Sequence, residues 1–212
     1  MGVYDGHASE PEITPGNKIF VDNALYDLSF NLILTLPSTF PTGSHHIIGK
    51  DIAGKDMIAL TTASATFPFC STGNGIAKFD LTTGTPTCLL QIPWWGDSSH
   101  FSLSRNGWLL SSITDYNDNK TAMMILPANW QSFWRPIMNE LLLIKTDGTE
   151  IRHLAHHRSR PKGVGTFQGG SYWSIPRASI SADGAYAIFD SNMGLANTDP
   201  DFTDIFMVKI VP

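Results

Sequence analysis

The sequence is short of charge. Only 16% of its 212 residues are Asp, Glu, Lys or Arg, and the net charge is −5. No run of Lys and Arg exceeds two residues. A nucleic-acid partner, whose affinity comes mainly from phosphate neutralisation by clustered cations, is excluded on these grounds. An acidic ligand at one local cationic spot is not, because net charge governs steering rather than a site. Long apolar runs are also missing. A spanning helix needs about 18 or more apolar residues, and the best candidate, Leu28 to Leu36, is interrupted by Ser29 and Asn31. The first residues, Met-Gly-Val-Tyr-Asp-Gly-His, have neither a basic nor an apolar region, so no signal peptide is read in this chain. Gly6 stands where a myristoylation motif needs Ser or Thr.

Cysteine is scarce. Cys70 and Cys88 are the two present, which leaves no zinc spacing. They form one disulfide if the protein is exported, or stay as two separate buried thiols; the second reading is the expectation. Few lysines and many Thr, Ser, Asn and Trp residues point to an extracytoplasmic location. Asn119-Lys-Thr121 matches a glycosylation sequon, relevant in a eukaryotic secretory context. Catalytic motifs are missing as well: there is no Gly-x-Ser-x-Gly elbow, phosphate-binding loop or His-Glu-x-x-His. Asp115, Asp118, Asp190, Asp199, Asp201 and Asp204 fall in loops or at strand ends. The group at Asp199, Asp201 and Asp204 lacks the Asp-x-Asp-x-Asp-Gly calcium loop and reads as turn chemistry.

Turn signals and short alternating strands are what the sequence has in quantity, with Gly 18 and Pro 13. The phrase Pro176-Arg-Ala-Ser-Ile-Ser-Ala-Asp-Gly184-Ala-Tyr-Ala-Ile-Phe-Asp-Ser191 reads as a β-hairpin, its Asp-Gly pair supplying the positive φ of a tight turn. It recurs as His100-Phe-Ser-Leu-Ser-Arg-Asn-Gly107-Trp, and more loosely from His46 through Asp51-Ile-Ala-Gly54. Each copy is followed by an outer strand pair. The first two outer hairpins turn at Thr-Thr-Gly84 and Thr-Asp-Gly148, and the third ends in the strand Asp204-Ile-Phe-Met-Val-Lys-Ile-Val211.

Repeated four-strand units are the signature of a β-propeller. The fold class is therefore all-β: a β-propeller, or a propeller segment, of four-stranded antiparallel blades. Three units are clear, at about 45–97, 98–172 and 173–212. Residues 1–44 hold an N-terminal arm and strands, and the strand from Lys18 to Asp22 is expected to complete the last blade, which lacks one. Long loops stretch the repeat beyond the usual period of about 40–45 residues. Three units fall short of a closed ring of about 4–8 blades. Either the rest of a longer propeller or a second copy is then expected against the open edges.

Ser-x-Ser-x-Asp-Gly, then an apolar strand ending in Ser, then an outer hairpin turned at Asp-Gly-Thr, resembles the WD40-like repeats of TolB-type bacterial propellers over roughly residues 45–211. His100-Phe-Ser-Leu-Ser-Arg-Asn-Gly and the His156-His157 loop also resemble oligogalacturonate lyases. That resemblance implies a seven-bladed propeller whose channel histidines hold a metal ion. The family's His-Pro-His-Pro-Ser-Phe phrase falls on Ser174-Ile-Pro-Arg-Ala-Ser179, where neither histidine is present.

Aligning the units on the turn glycine and reading back seven places gives His100 and Arg177 and, in the first unit, which is one residue longer, His46 or Ile47. In a propeller these positions converge near one mouth of the channel. Two imidazoles and a guanidinium facing one point suit a carboxylate, or a carboxylate on a metal. They equally suit hydrogen bonding of neighbouring loops. The one dense cationic patch, His156-His157-Arg158-Ser159-Arg160-Pro161-Lys162, leads toward the same mouth, so His157, Arg158 and Arg160 either bind an acidic ligand or staple loops. Tyr172 and Trp173, with Trp94, Trp95, Trp130 and Trp134, offer stacking platforms for sugars, or pack between blades. The leading functional expectation is a non-catalytic module with no cofactor. It presents His46, His100, His157, Arg158, Arg160, Tyr172, Trp173 and Arg177 to an acidic oligosaccharide or a protein partner. The alternatives are a metal-dependent polysaccharide lyase, with a divalent metal on His46, His100 and His157 and Arg177 on the uronate carboxylate, and a structural propeller fragment.

Overall fold

The computed structural model describes residues 11–38, 40, 45–63, 69–71, 73–92, 97–114, 137–159, 176–193 and 203–211. They form four antiparallel sheets in chain order. The first holds β1 (Glu12–Ile13), β2 (Ile19–Val21), β3 (Ala24–Tyr26) and β4 (Leu32–Thr35). The second holds β5 (His46–Lys50), β6 (Asp56–Ala63), β7 (Asn74–Asp80) and β8 (Pro86–Gln91). The third holds β9 (Asp97–Leu103), β10 (Trp108–Thr114), β11 (Glu140–Lys145) and β12 (Ile151–His156). The fourth has three strands, β13 (Ser179–Ile180), β14 (Tyr186–Ser191) and β15 (Asp204–Lys209). Each sheet is a simple meander, and the first strands of consecutive sheets lie together: β5 against β9, and β9 against β13. This is a four-blade segment of a β-propeller.

Burial follows position in the stack. The two central sheets are covered on both faces, so their strands need not alternate. Met57, Ile58, Ala59 and Leu60 are consecutive on β6 and all fully buried, as are Leu141 and Leu142 on β11. The fourth sheet is covered on one face, and β14 alternates: Ala187 and Phe189 are buried while Tyr186 and Ile188 are exposed. Three apolar clusters fill the gaps between blades. Phe20, Leu25 and Leu36 meet Ile58, Leu60 and Phe79 between the first and second sheets. Met57, Ile76 and Leu90 meet Phe101, Leu109 and Leu142 between the second and third. Leu110, Leu141 and Leu143 meet Ile180, Ala187 and Phe189 between the third and fourth. Each such side chain contributes about 1.5–3 kcal/mol relative to exposure.

The inner-hairpin turns are built alike. Gly107 and Gly184 have φ of +78° and +75°, while Asn106 and Asp183 before them are not in the left-handed region. The Gly107 N–H donates to the Ser104 carbonyl and the Ser104 N–H to the Trp108 carbonyl. This is the longer hairpin loop with one left-handed glycine, not a two-residue turn that needs two. Side chains complete it: the Ser104 hydroxyl accepts from the Trp108 N–H at 3.0 Å, and the Asp183 carboxylate from the Ala185 N–H at 3.0 Å.

Two expectations are corrected. The strand at 18–22 does not complete the last blade. Ile19–Val21 is an inner member of the first sheet, paired with β1 and β3. The reason is local: the turn at 14–17 lets Glu12 and Ile13 pair back on Phe20 and Ile19, and its Thr14 hydroxyl and Gly16 N–H both donate to Asp56 Oδ2, at 2.9 and 3.0 Å, fixing the sheet against the second blade. The cysteines are not separate thiols. Cys70 and Cys88 form a disulfide with Cα atoms 5.1 Å apart. Cys88 stands opposite Ala77 on the β7–β8 pair, and Gly75 leaves the room. A Cβ on Gly75 would lie 2.6 Å from the Cys70 sulfur and 2.3 Å from the Leu90 carbonyl oxygen.

Candidate functional site

Because the sheets are meanders in one order, the first strands start at one end of the stack and the inner turns lie at the other. His46 is the first residue of β5, His100 lies on β9, and Arg177 precedes β13. The three positions therefore share one end of three neighbouring inner strands. His46 and His100 are buried; Arg177 is exposed.

The sequence reading missed the partners that join these positions. The His46 ring Nε2 pairs with the Glu12 carboxylate of β1, across the first blade gap. The His45 ring lies against the His100 ring across the next gap, centroids 4.9 Å apart and planes tilted by 50°. The Ser112 hydroxyl donates to the Pro176 carbonyl at 2.8 Å, and the Arg177 N–H to Asp190 Oδ1 at 2.6 Å, which holds the approach to β13. A carboxylate meets an imidazole across the first gap and two imidazoles meet across the second. Glu12 places an acid within a cluster that the sequence presents as cationic.

His157 has a different role. It is fully buried. Its Nε2 donates to the Ile113 carbonyl at 2.9 Å, and its Nδ1 accepts the Ser159 N–H at 3.1 Å. Both ring nitrogens serve backbone groups, so the ring is neutral with its proton on Nε2. Its own N–H donates to the Asn139 carbonyl, and its carbonyl accepts the Ser191 hydroxyl at 2.6 Å, tying the third blade to the fourth. A metal on His157 would have to displace one of those bonds. Among the described residues no three His, Cys, Asp or Glu side chains gather as a metal site. The set His46, His100 and His157 does not fit a divalent ion as arranged.

Arg158 follows with φ of +54°, exposed, its N–H donating to His156 Nδ1 at 3.2 Å. Arg160, Tyr172 and Trp173 lie outside the described residues, as do Trp94, Trp95, Trp130 and Trp134. At the turn end an open cleft of about 470 Å³ runs between the second and third inner hairpins, lined by Arg105, Asn106, Ser181, Ala182 and Asp183. The Ser181 hydroxyl and the Ala185 N–H hold the Asp183 carboxyl below its ordinary value. With Arg105 and Asp183 both on its wall, the cleft has no single sign of charge. No described helix is long and apolar enough to cross a membrane.

No protein-family model matches the sequence, and no curated protein matches it. Solved structures do. A putative TolB from Agrobacterium tumefaciens aligns over 95% of this chain with a TM-score of 0.50 at 16% identity. TolB from Acinetobacter baumannii aligns over 94% with a TM-score of 0.43 at 14% identity. An oligogalacturonate lyase in complex with manganese aligns over 95% with a TM-score of only 0.28 at 12% identity. The chain spans 57% of the first of these and 39% of the second. Its fold is that of the TolB-type β-propellers, over four consecutive blades.

Proposed function

We propose that the chain is a non-catalytic propeller module that binds an acidic partner, a polysaccharide or a protein, at the end where its inner strands start. The observation that carries this reading is the His46–Glu12, His45–His100 series across the first two blade gaps, with Arg177 at the same strand end of the fourth blade. Groups of this kind, held by neighbours and set on strands of a rigid scaffold, suit a surface that recognises without reacting. Arg158 and Arg177 are exposed, and guanidinium groups suit carboxylates. The lyase alternative needs His157 as a metal ligand, and both nitrogens of that ring are bonded to backbone. The Cys70–Cys88 disulfide supports an oxidising compartment outside the cytoplasm.

Calorimetric titration with trigalacturonate, a polyglutamate peptide and neutral cellotriose tests the proposal. One acidic probe is expected to bind more tightly than the neutral sugar, with affinity falling as salt rises. Arg177→Ala is expected to weaken it about tenfold, or 1.4 kcal/mol. Equal or absent binding of all three probes, or an Arg177→Ala variant indistinguishable from the parent, overturns it.

A further inference from the structure

The turns at the end opposite the strand starts commit their carboxylates fully. Asp51 takes the Ala53 and Lys55 N–H groups on Oδ1 and the Lys78 ammonium on Oδ2. Asp56 takes Thr14 and Gly16 on Oδ2 and Lys50 on Oδ1. Asp80 takes Thr82 and Thr83 on Oδ1 and Lys55 on Oδ2. Asp27 and Asp147 also engage both oxygens, Asp27 with Ser29 and Asn31, Asp147 with Thr149 and Lys145. Asp183 departs from this. Its Oδ1 accepts both the Ser181 hydroxyl, at 2.6 Å, and the Ala185 N–H, at 3.0 Å. Among the described residues, its Oδ2 has no partner.

The cations divide in the same way. Lys50, Lys55 and Lys78 each meet a carboxylate. Arg105, at the place in its turn that Ile52 takes one blade earlier, does not. Its N–H donates to the Ala182 carbonyl at 2.8 Å, but among the described residues its guanidinium has no hydrogen bond or ion pair. Arg105 and Asp183 nevertheless line one cleft of about 470 Å³, within the size range of small-molecule sites, about 300–1,000 Å³. The walls are fixed across the blade gap. The Arg105 main chain is bonded to Ala182, and the Asn106 side-chain amide donates to the Asp183 carbonyl at 3.2 Å. The two charged groups thus sit on walls that their own turns hold in place. At the gap before, Ile52 lies against Gly107; here the Asn106 side chain covers Gly184 and the cleft stands beside it.

We propose that this cleft is a binding site for a small zwitterion, an amino acid or the free ends of a short peptide, with the ligand carboxylate on the Arg105 guanidinium and its ammonium on Asp183 Oδ2. A planar guanidinium offers a carboxylate two parallel bonds. The Asp183 carboxyl, held below its ordinary value by Ser181 and Ala185, is ionised at neutral pH and attracts a cation. A ligand with one charge satisfies one wall and leaves the opposite charge facing it. The site lies at the other end of the strands from His46 and His100 and does not depend on the reading of that end. Because the cleft is open to water, affinity is modest, with Kd in the range of about 1 mM.

NMR titration of the chain with glycine, glycylglycine, acetylglycylglycine and glycylglycinamide tests the proposal. Glycine or glycylglycine is expected to shift the Arg105, Asn106 and Asp183 amide resonances and saturate. The acetylated and amidated peptides, each lacking one charge, are expected to bind at least tenfold more weakly. Arg105→Gln and Asp183→Asn are each expected to weaken the zwitterion about tenfold with the parent circular dichroism kept, since the Arg105 side chain makes no contact to lose and an asparagine Oδ1 still accepts from Ser181 and Ala185. The better of glycine and glycylglycine tells whether an amino acid or a peptide fits the span. No saturable shift with either overturns the proposal. Equal binding of a singly charged peptide overturns the zwitterion, and an Arg105→Gln variant that binds like the parent overturns the site.

Discussion

Ile52 of the second blade sits directly on Gly107 of the third. A Cβ on Gly107 would come within 2.5 Å of the Ile52 Cα and 2.6 Å of its nitrogen. The Ile52 N–H donates to the Thr146 hydroxyl at 2.9 Å, and that hydroxyl donates to the Gly107 carbonyl, also at 2.9 Å. The same stitch recurs one blade on, where Asn106 donates to the Asp183 carbonyl and covers Gly184. Turn glycines are thus the points where blades dock, as well as the points where the chain reverses. Gly54 makes the control. Its φ is also +78°, but nothing lies within 4 Å of a Cβ there.

Gly54→Ala is expected to cost only the left-handed penalty, about 1–2 kcal/mol. Gly107→Ala must in addition push the Ile52 backbone away, with a total of about 4 kcal/mol, the range of severe mutations. Urea unfolding of the two variants measures the difference. Equal losses would mean that the two turns dock alike.

The disulfide closes a loop with a sequence separation of 18. Loop-closure entropy puts its contribution at about 3 kcal/mol. Replacing both cysteines by serine is expected to lower Tm by roughly 6–12 °C in a chain of this size. Gly75→Ala is expected to disturb the same place in the oxidised protein, because its Cβ would meet the Cys70 sulfur. Thermal melts with and without reductant check both: the glycine variant should lose more than the parent when oxidised, and the gap should narrow on reduction.

The repeat was legible because Asp-Gly and Asn-Gly turns between alternating strands are strong local signals. Gly54, Gly84, Gly107, Gly148 and Gly184 all take positive φ. The first blade was harder to see. A strand of two residues, Glu12–Ile13, has no alternation, and its turn residues, Thr14 to Asn17, look like any loop. Glu12 was missed for that reason, although it is the partner of His46. His157 misled in the opposite way. A basic run suggests an exposed patch, yet this ring is fully buried, because Ile113 and Ser159 offer it backbone partners. The disulfide depended on how the connection from β6 to β7 folds back to bring Cys70 onto Cys88 of β8, which spacing does not announce.

Asp51 gives the acid limb of stability. Burial pushes its carboxyl up, but the Lys55 N–H, the Lys78 ammonium and the Ala53 N–H outweigh it, and the group is held below its ordinary 3.8. Asp80 is held down in the same direction, burial being outweighed by the Thr82 and Thr83 N–H groups and Lys55. A lowered carboxylate stabilises the fold above its unfolded value, and that contribution is lost as pH falls through the folded value. Stability is therefore expected to be flat near neutrality and to decline below about pH 4. Asp51→Asn leaves Lys78, 3.1 Å away, without its counter-charge. A loss of about 2 kcal/mol at neutral pH is expected, with a shallower acid decline than in the parent. Denaturant titrations at neutral and acid pH read both slopes; an unchanged acid limb would remove Asp51 from the account.

Among the described residues, two hydroxyls are buried without a hydrogen-bond partner, Ser111 Oγ and Thr114 Oγ1, both on β10. Ser111 stands opposite Phe101 and Leu142, in the apolar gap between the second and third blades. An orphaned hydroxyl there costs about 1–3 kcal/mol of desolvation. Ser111→Ala removes that cost and leaves a gap of one atom, so the expected result is a stability equal to the parent or about 1 kcal/mol higher. Its neighbour Ser112 is the internal contrast, because its hydroxyl is bonded to the Pro176 carbonyl. Ser112→Ala leaves that carbonyl unanswered and is expected to lose about 1–2 kcal/mol. Urea midpoints of the two variants decide the matter. If Ser111→Ala is the worse of the pair, its hydroxyl has a partner that binds only in solution, and β10 contributes a polar contact between the blades rather than a void in their packing.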